Sequence, residues 1–285
     1  MDAVLRALVE PGFFSNSSVH LAAAVGAIVA VVAGSVGIFT VIRGQAFAGE
    51  ALGDIGAAGG SSAYLVGIAP LWGFVAITVA AAGVMELIGV QRARGRDLAT
   101  GIVLGTGFGL AALFLYLGNN TSGATATILF GSIFALSSST LPLVAAFAVV
   151  VLGIVIALYR PLLLASLSSD LAAARGVPIR LIGVLYLVAL ALAVALSAIT
   201  IGAILSTALL VGPAATALQL TDRPMRATIT AALLGVGAMW LGILLAYDSY
   251  YWPPHHRTWP VSFFVVTLVL IGYVASRWLP GPRRR

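Results

Sequence analysis

Long apolar runs separated by short polar or arginine-bearing segments dominate the chain. The runs fall at about 20–42, 47–67, 70–91, 98–118, 140–159, 180–199, 201–220, 227–247 and 260–278. Each approaches the roughly 20 residues that a helix needs to cross a bilayer. The pattern predicts an all-α polytopic membrane protein with nine transmembrane helices, eight being the alternative count, in a single transmembrane domain over residues 1–285. Residues 126–137, ATILFGSIFALS, are too short to cross and read as a re-entrant or interfacial segment. Residues 1–18, with Phe13 and Phe14, read as an amphipathic lead-in at an interface. Residues 162–179 are less apolar and join the fifth span to the sixth, and residues 279–285 form a basic tail.

Charge sets an orientation on this pattern. Only 8% of residues are charged and 61% are hydrophobic, against about 25% charged in soluble domains. With the C-terminus inside, thirteen of the 15 basic residues fall in inner loops, while Arg6 and Arg257 lie outside. That asymmetry predicts an external N-terminus and a cytoplasmic C-terminus. It also accounts for the net charge of +6 without a nucleic-acid partner. The chain has no cysteine, which excludes disulfides and thiolate metal sites. Residues 1–17 do not read as a cleavable signal peptide. There is no GxxxxGK[ST] and no lysine at all, so the chain cannot supply a Walker lysine to a nucleotide.

Candidate chemistry concentrates in residues 44–63, GQAFAGEALGDIGAAGGSSA. Glu50 and Asp54 are four residues apart, which stacks both carboxylates on one helix face. An acid in hydrocarbon costs roughly 2.5–3.5 kcal/mol and usually marks a functional position. Two carboxylates offer hard oxygen ligands for a divalent cation, and the surrounding glycines let neighbouring helices come close. The plainer reading is a helix–helix hydrogen bond, or an acid protonated by burial. In residues 166–180, Ser168 or Ser169 can cap a short helix through Ala174, which Gly176 ends and Pro178 keeps from continuing. Such a surface helix can dock into a partner's groove or serve as a simple connector. Gly212-Pro213 is expected to interrupt the seventh span, at least as a kink. His255 and His256, with His20 on the same outer side, are candidates for capturing a metal, although polar loop residues are the commoner role. Glu86 and Asp248 stand near span ends.

The order of these features resembles the permease subunits of bacterial ATP-binding-cassette importers for zinc, manganese and iron. Arg43 followed by GEALGDIGAAGG is similar to that family's second-helix block, an arginine and then GDALSHAxLPG. Glu50 falls on the family's aspartate, Asp54 on its histidine, and Gly59 on the glycine of LPG, while Ala58 replaces its proline. LFGSIFALS at 129–137, DLAAARG at 170–176 and IGAILSTALLVGPAATA at 201–217 resemble three further blocks. The resemblance implies no permanently bound cofactor, a transported divalent metal ion and a bacterial inner-membrane location. It also implies a homodimer embedded in lipid, two cytoplasmic ATPases and an extracytoplasmic metal-binding protein. Residues 166–178, with Asp170, Ala174 and Gly176, then become the segment that couples to the ATPase. The chain itself is expected to be a permease and not an enzyme. Two other readings stay open: a permease for a metal chelate such as a siderophore, and a secondary transporter in which Glu50 and Asp54 carry protons.

Overall fold

The computed structural model describes residues 13, 16–88, 93–117, 131, 133–203, 205–251 and 258–278. They form ten α-helices: α1 (Ser17–Ile42), α2 (Ala46–Leu65), α3 (Pro70–Ile88), α4 (Ala93–Leu117), α5 (Thr140–Leu167), α6 (Ser169–Ala174), α7 (Ile179–Ile201), α8 (Ser206–Leu220), α9 (Pro224–Asp248) and α10 (Val261–Trp278). No strand occurs among the described residues. Helices α1, α3, α5, α7, α9 and α10 are long and apolar enough to cross a membrane. A helix satisfies its own backbone, which is why so apolar a chain adopts it.

Two helices form the centre. In α7 every residue from Ala189 to Ala198 is buried, and α1 is buried along most of its second half. A helix apolar all round belongs inside such a bundle. Helix α7 packs on α3, α5, α1, α2 and α8, and α1 packs on α9, α8, α5 and α7. Two of their serines bond back to their own helices: Ser35 Oγ donates to Val31 O at 2.7 Å and Ser197 Oγ to Ala193 O at 2.9 Å. No unsatisfied hydroxyl then interrupts the packing. The periphery is apolar too, with Leu87, Val149 and Ile156 at least 71% exposed.

The helices depart from the sequence expectation at two prolines. Helix α5 does not stop at Arg160-Pro161 but continues to Leu167 with Pro161 inside it. Helix α8 is likewise continuous through Gly212-Pro213, so the expected break there is absent. A proline removes one intrahelical bond, and packing of the surrounding apolar residues sustains both helices across it. The interruption lies instead between α7 and α8, where Gly202 adopts φ 89° and ψ 158°, a region open essentially to glycine alone. Helix α8 has 15 residues and is therefore only about 22 Å long. The turn before it sits beside the middle of α2: a Cβ on Gly53 would lie 3.0 Å from Ser206 Oγ and 3.2 Å from the Ala203 carbonyl.

The described part of the short 126–137 segment contains a 3-10 turn, Ile133–Ala135, packed against α1 and α7. His255, His256 and residues 279–285 lie outside the described residues, as does most of the 1–18 lead-in.

Candidate metal pathway and coupling segment

Helix α2 presents different faces to four neighbours. Gly49 meets Leu210 of α8, and Gly53 meets the α7–α8 turn. Gly56 and Gly60 lie against Phe74 of α3, and Gly59 crosses Gly73 of the same helix backbone to backbone. On another side Gly107 of α4 abuts the backbone of Asp54 and Ile55: a Cβ there would be 2.6 Å from Ile55 N. The glycines are thus contact points at which neighbouring helices approach the α2 backbone, as small-residue interfaces in membranes do.

The two acids sit one turn apart on this helix. Asp54 is only 4% exposed, and its Oδ2 has no hydrogen-bond partner among the described residues. An orphaned carboxylate oxygen in so dry a place is costly unless a proton or a cation joins it. Glu50 is half-buried and lines a cleft of about 530 Å³ between α2, α8 and α10. The rest of the lining is mostly apolar, including Phe47, Val211 and Leu270, with Thr207 and Tyr273 supplying hydroxyls. Glu50 therefore meets an open cleft, whereas Asp54 is enclosed by packed helices. Gly212 lies beside this cleft, where α8 packs tightly on Val269 of α10. Among the described residues no three His, Cys, Asp or Glu side chains come together in a metal-binding group.

The second candidate segment forms a separate surface. Ser168 caps α6, its Oγ accepting from Leu171 N at 3.3 Å, and Asp170 stands in the first turn, where an acid complements the helix dipole. Gly176 has φ 73° and turns the chain into α7. Ala172 is buried against the bundle, while Asp170, Leu171, Ala173, Ala174, Arg175 and Gly176 are exposed. Helix α6 packs mainly on α5.

Sequence reasoning missed Thr207 and Tyr273 of the cleft and the irregular turn next to Gly53. It also missed the surroundings of Arg43. The guanidinium of Arg43 lies 5.1 Å from the centre of the Tyr186 ring, and its Nη1 donates to Ser166 Oγ at 3.5 Å.

The comparisons with known proteins agree with this architecture. The chain is 31% identical over 229 residues to the manganese transport system membrane protein MntC of Halalkalibacterium halodurans, covering 80% of this chain and 78% of that one. It is 25% identical to the high-affinity zinc uptake system membrane protein ZnuB of Haemophilus influenzae, covering 79% and 87%. Among solved structures, PsaBC from Streptococcus pneumoniae in complex with Fab superposes with a TM-score of 0.80 at 22% identity, over 100% of this chain and 98% of that one. Its likeness establishes the fold alone. The sequence matches the family description over residues 16–275, and on that span the chain belongs to the ABC 3 transport family.

Proposed function

We propose that this chain is the membrane permease of an ATP-driven importer for manganese or zinc, and that the ion passes along Glu50 and Asp54. The observation that carries the reading is the buried Asp54 Oδ2, without a hydrogen-bond partner among the described residues, one turn from a glutamate that lines an open cleft. A divalent ion leaving water loses a large hydration energy, and only fixed negative charge or strong dipoles can offset that loss. Paired carboxylates do so with hard oxygen ligands. The MntC and ZnuB relatives are named for manganese and zinc transport. Iron follows from the family resemblance only.

The rest of the transporter follows from what this chain lacks. It has no lysine and hence no Walker lysine, so ATP hydrolysis belongs to a separate ATPase chain. The exposed, capped α6, with Asp170 and Ala174, and Gly176 just beyond it supply a surface for that ATPase at the cytoplasmic end. A second copy of the chain completes the pathway across the cleft, because a glutamate facing lipid there would be costly, and contributes ligands that one copy does not gather. An extracytoplasmic binding protein delivers the ion. In the bacterial inner membrane the N-terminus is external, the C-terminus is cytoplasmic, and α2, α4 and α8 complete a nine-span domain.

Manganese and zinc contents of cells with and without this chain test the transport reading, and copurification of an ATPase tests how transport is powered. Unchanged contents of both metals would refute the first, and a purified chain without any ATPase would refute the second.

A further inference from the structure

We infer that Arg43 is the positioning residue through which movement of the α6 docking segment reaches the carboxylate-bearing helix α2. The inference rests on the proposed docking of an ATPase at α6, and the measurement below separates the two.

Arg43 carries a charge that cannot be discharged. An arginine stays protonated in a protein, and this one sits half-buried at the inner end of α1. Its guanidinium lies over the ring of Tyr186 of α7. That ring is fully buried and fixed, because the Tyr186 hydroxyl and Thr40 Oγ1 of α1 share a hydrogen bond of 2.8 Å. The Glu86 carboxylate of α3 also acts on the guanidinium electrostatically. The third connection is to Ser166 near the end of α5. Ser166 stands two residues before Ser168, the residue that caps α6. One side chain therefore ties the root of the docking segment to the central helices.

The other direction leads to the acids. Arg43 is followed directly by Gly44, with φ 63°, and by Gln45, which is 3% exposed and immediately precedes α2. Gln45 N donates to Thr40 O at 2.9 Å, so the turn is pinned to the same stretch of α1 that holds Tyr186. Glu50 lies on the second turn of α2. A displacement of the inner end of α5 pulls on Ser166, then on the guanidinium, then on this short turn. Cation–π and hydrogen-bond contacts of a partly desolvated arginine suit the task, since they resist separation yet allow tilting.

The test uses the purified complex of this chain with its ATPase in proteoliposomes, with manganese ion as the probe. ATP hydrolysis and ion uptake are measured together for wild type, R43Q, R43K and S166A at matched protein abundance. R43Q should raise the ATP hydrolysed per ion carried by about two- to thirty-fold, the range expected when one coupling contact is lost. R43K retains the charge but neither the planar guanidinium nor its reach to Ser166, and should restore only part of the coupling. S166A should raise the ratio in the same direction by less, and decides the matter if R43Q does not reach the membrane. A general structural defect would lower hydrolysis and uptake in step and leave the ratio unchanged. Wild-type ratios in R43Q, or in S166A where R43Q is absent, would overturn the inference while leaving docking intact. Loss of ATPase from the wild-type complex itself would overturn both.

Discussion

Replacing Gly73 by alanine tests whether α2 is held where it is by glycine contacts. Helices α2 and α3 cross at Gly59 and Gly73, each glycine lying against the other's backbone. A Cβ on Gly73 would fall 2.6 Å from the Ala63 Cβ and 2.7 Å from the Gly59 carbonyl carbon. Carbon atoms settle at about 3.5–4.0 Å, so the helices must part by roughly 1 Å. Overpacking of this kind costs about 1–3 kcal/mol. Gly59→Ala forces open the same gap, since its Cβ would be 2.9 Å from the Gly73 carbonyl carbon. Once one substitution has separated the helices, the second should cost less, so the double variant should fall short of additivity by about 1 kcal/mol. Gly83→Ala is the control on the same helix. A Cβ there meets nothing within 4 Å, and alanine gains about 0.5–1 kcal/mol in helix propensity. Thermal unfolding of the purified protein in one detergent reads all four variants, and a loss of this size lowers Tm by several degrees. If Gly73→Ala were as stable as Gly83→Ala, or if the two crossing substitutions added in full, the close approach would not be what positions α2.

Three further outcomes are expected. Gly176→Trp places a bulky side chain at φ 73° on the proposed docking surface, and Asp170→Arg reverses the charge of the first turn of α6; each should reduce copurified ATPase by at least about tenfold, a loss of some 1.4 kcal/mol in binding, with membrane abundance kept, and wild-type recovery of ATPase in both would refute the assignment. Reporter fusions at Gly123 and Gly281 should read external and cytoplasmic, and two readings on one side would end the nine-span arrangement. Asp54→His should retain activity and shift preference towards zinc, because imidazole is a softer ligand than carboxylate; an abundant but inactive variant would contradict the alignment of Asp54 with the family's histidine.

Features governed by local chemistry were legible in the sequence. The cap, offered by Ser168 or Ser169, and the end of α6 at Ala174 before Gly176 depend on a few adjacent residues; the structure takes Ser168 as the cap, ends α6 at Ala174 and gives Gly176 a left-handed conformation. The two acids were conspicuous because charge is rare in this chain. Features governed by packing were not legible. Pro161 and Pro213 carry a local penalty, but whether a helix survives it depends on neighbours distant in sequence, and both helices run on. The sequence divides two spans at about 200, but the next helix begins only at Ser206, and within IGAILS only the backbone conformation distinguishes a turn from more helix. Arg43 read as one more cytoplasmic arginine. Its partners are Ser166, 123 residues away, and the ring of Tyr186, itself held to Thr40 across 146 residues, and no spacing rule connects positions so remote.

The role of the two carboxylates is open to a single comparison. Glu50→Gln and Asp54→Asn keep size and hydrogen bonding but remove charge, and neutral amides cost less to bury. Manganese and zinc uptake, measured for both variants at matched membrane abundance, should fall severely while the protein stays folded, because the crossing ion loses the charge that offsets its desolvation. Near-normal uptake of both metals in both variants would mean that Glu50 and Asp54 serve only to hold helices together.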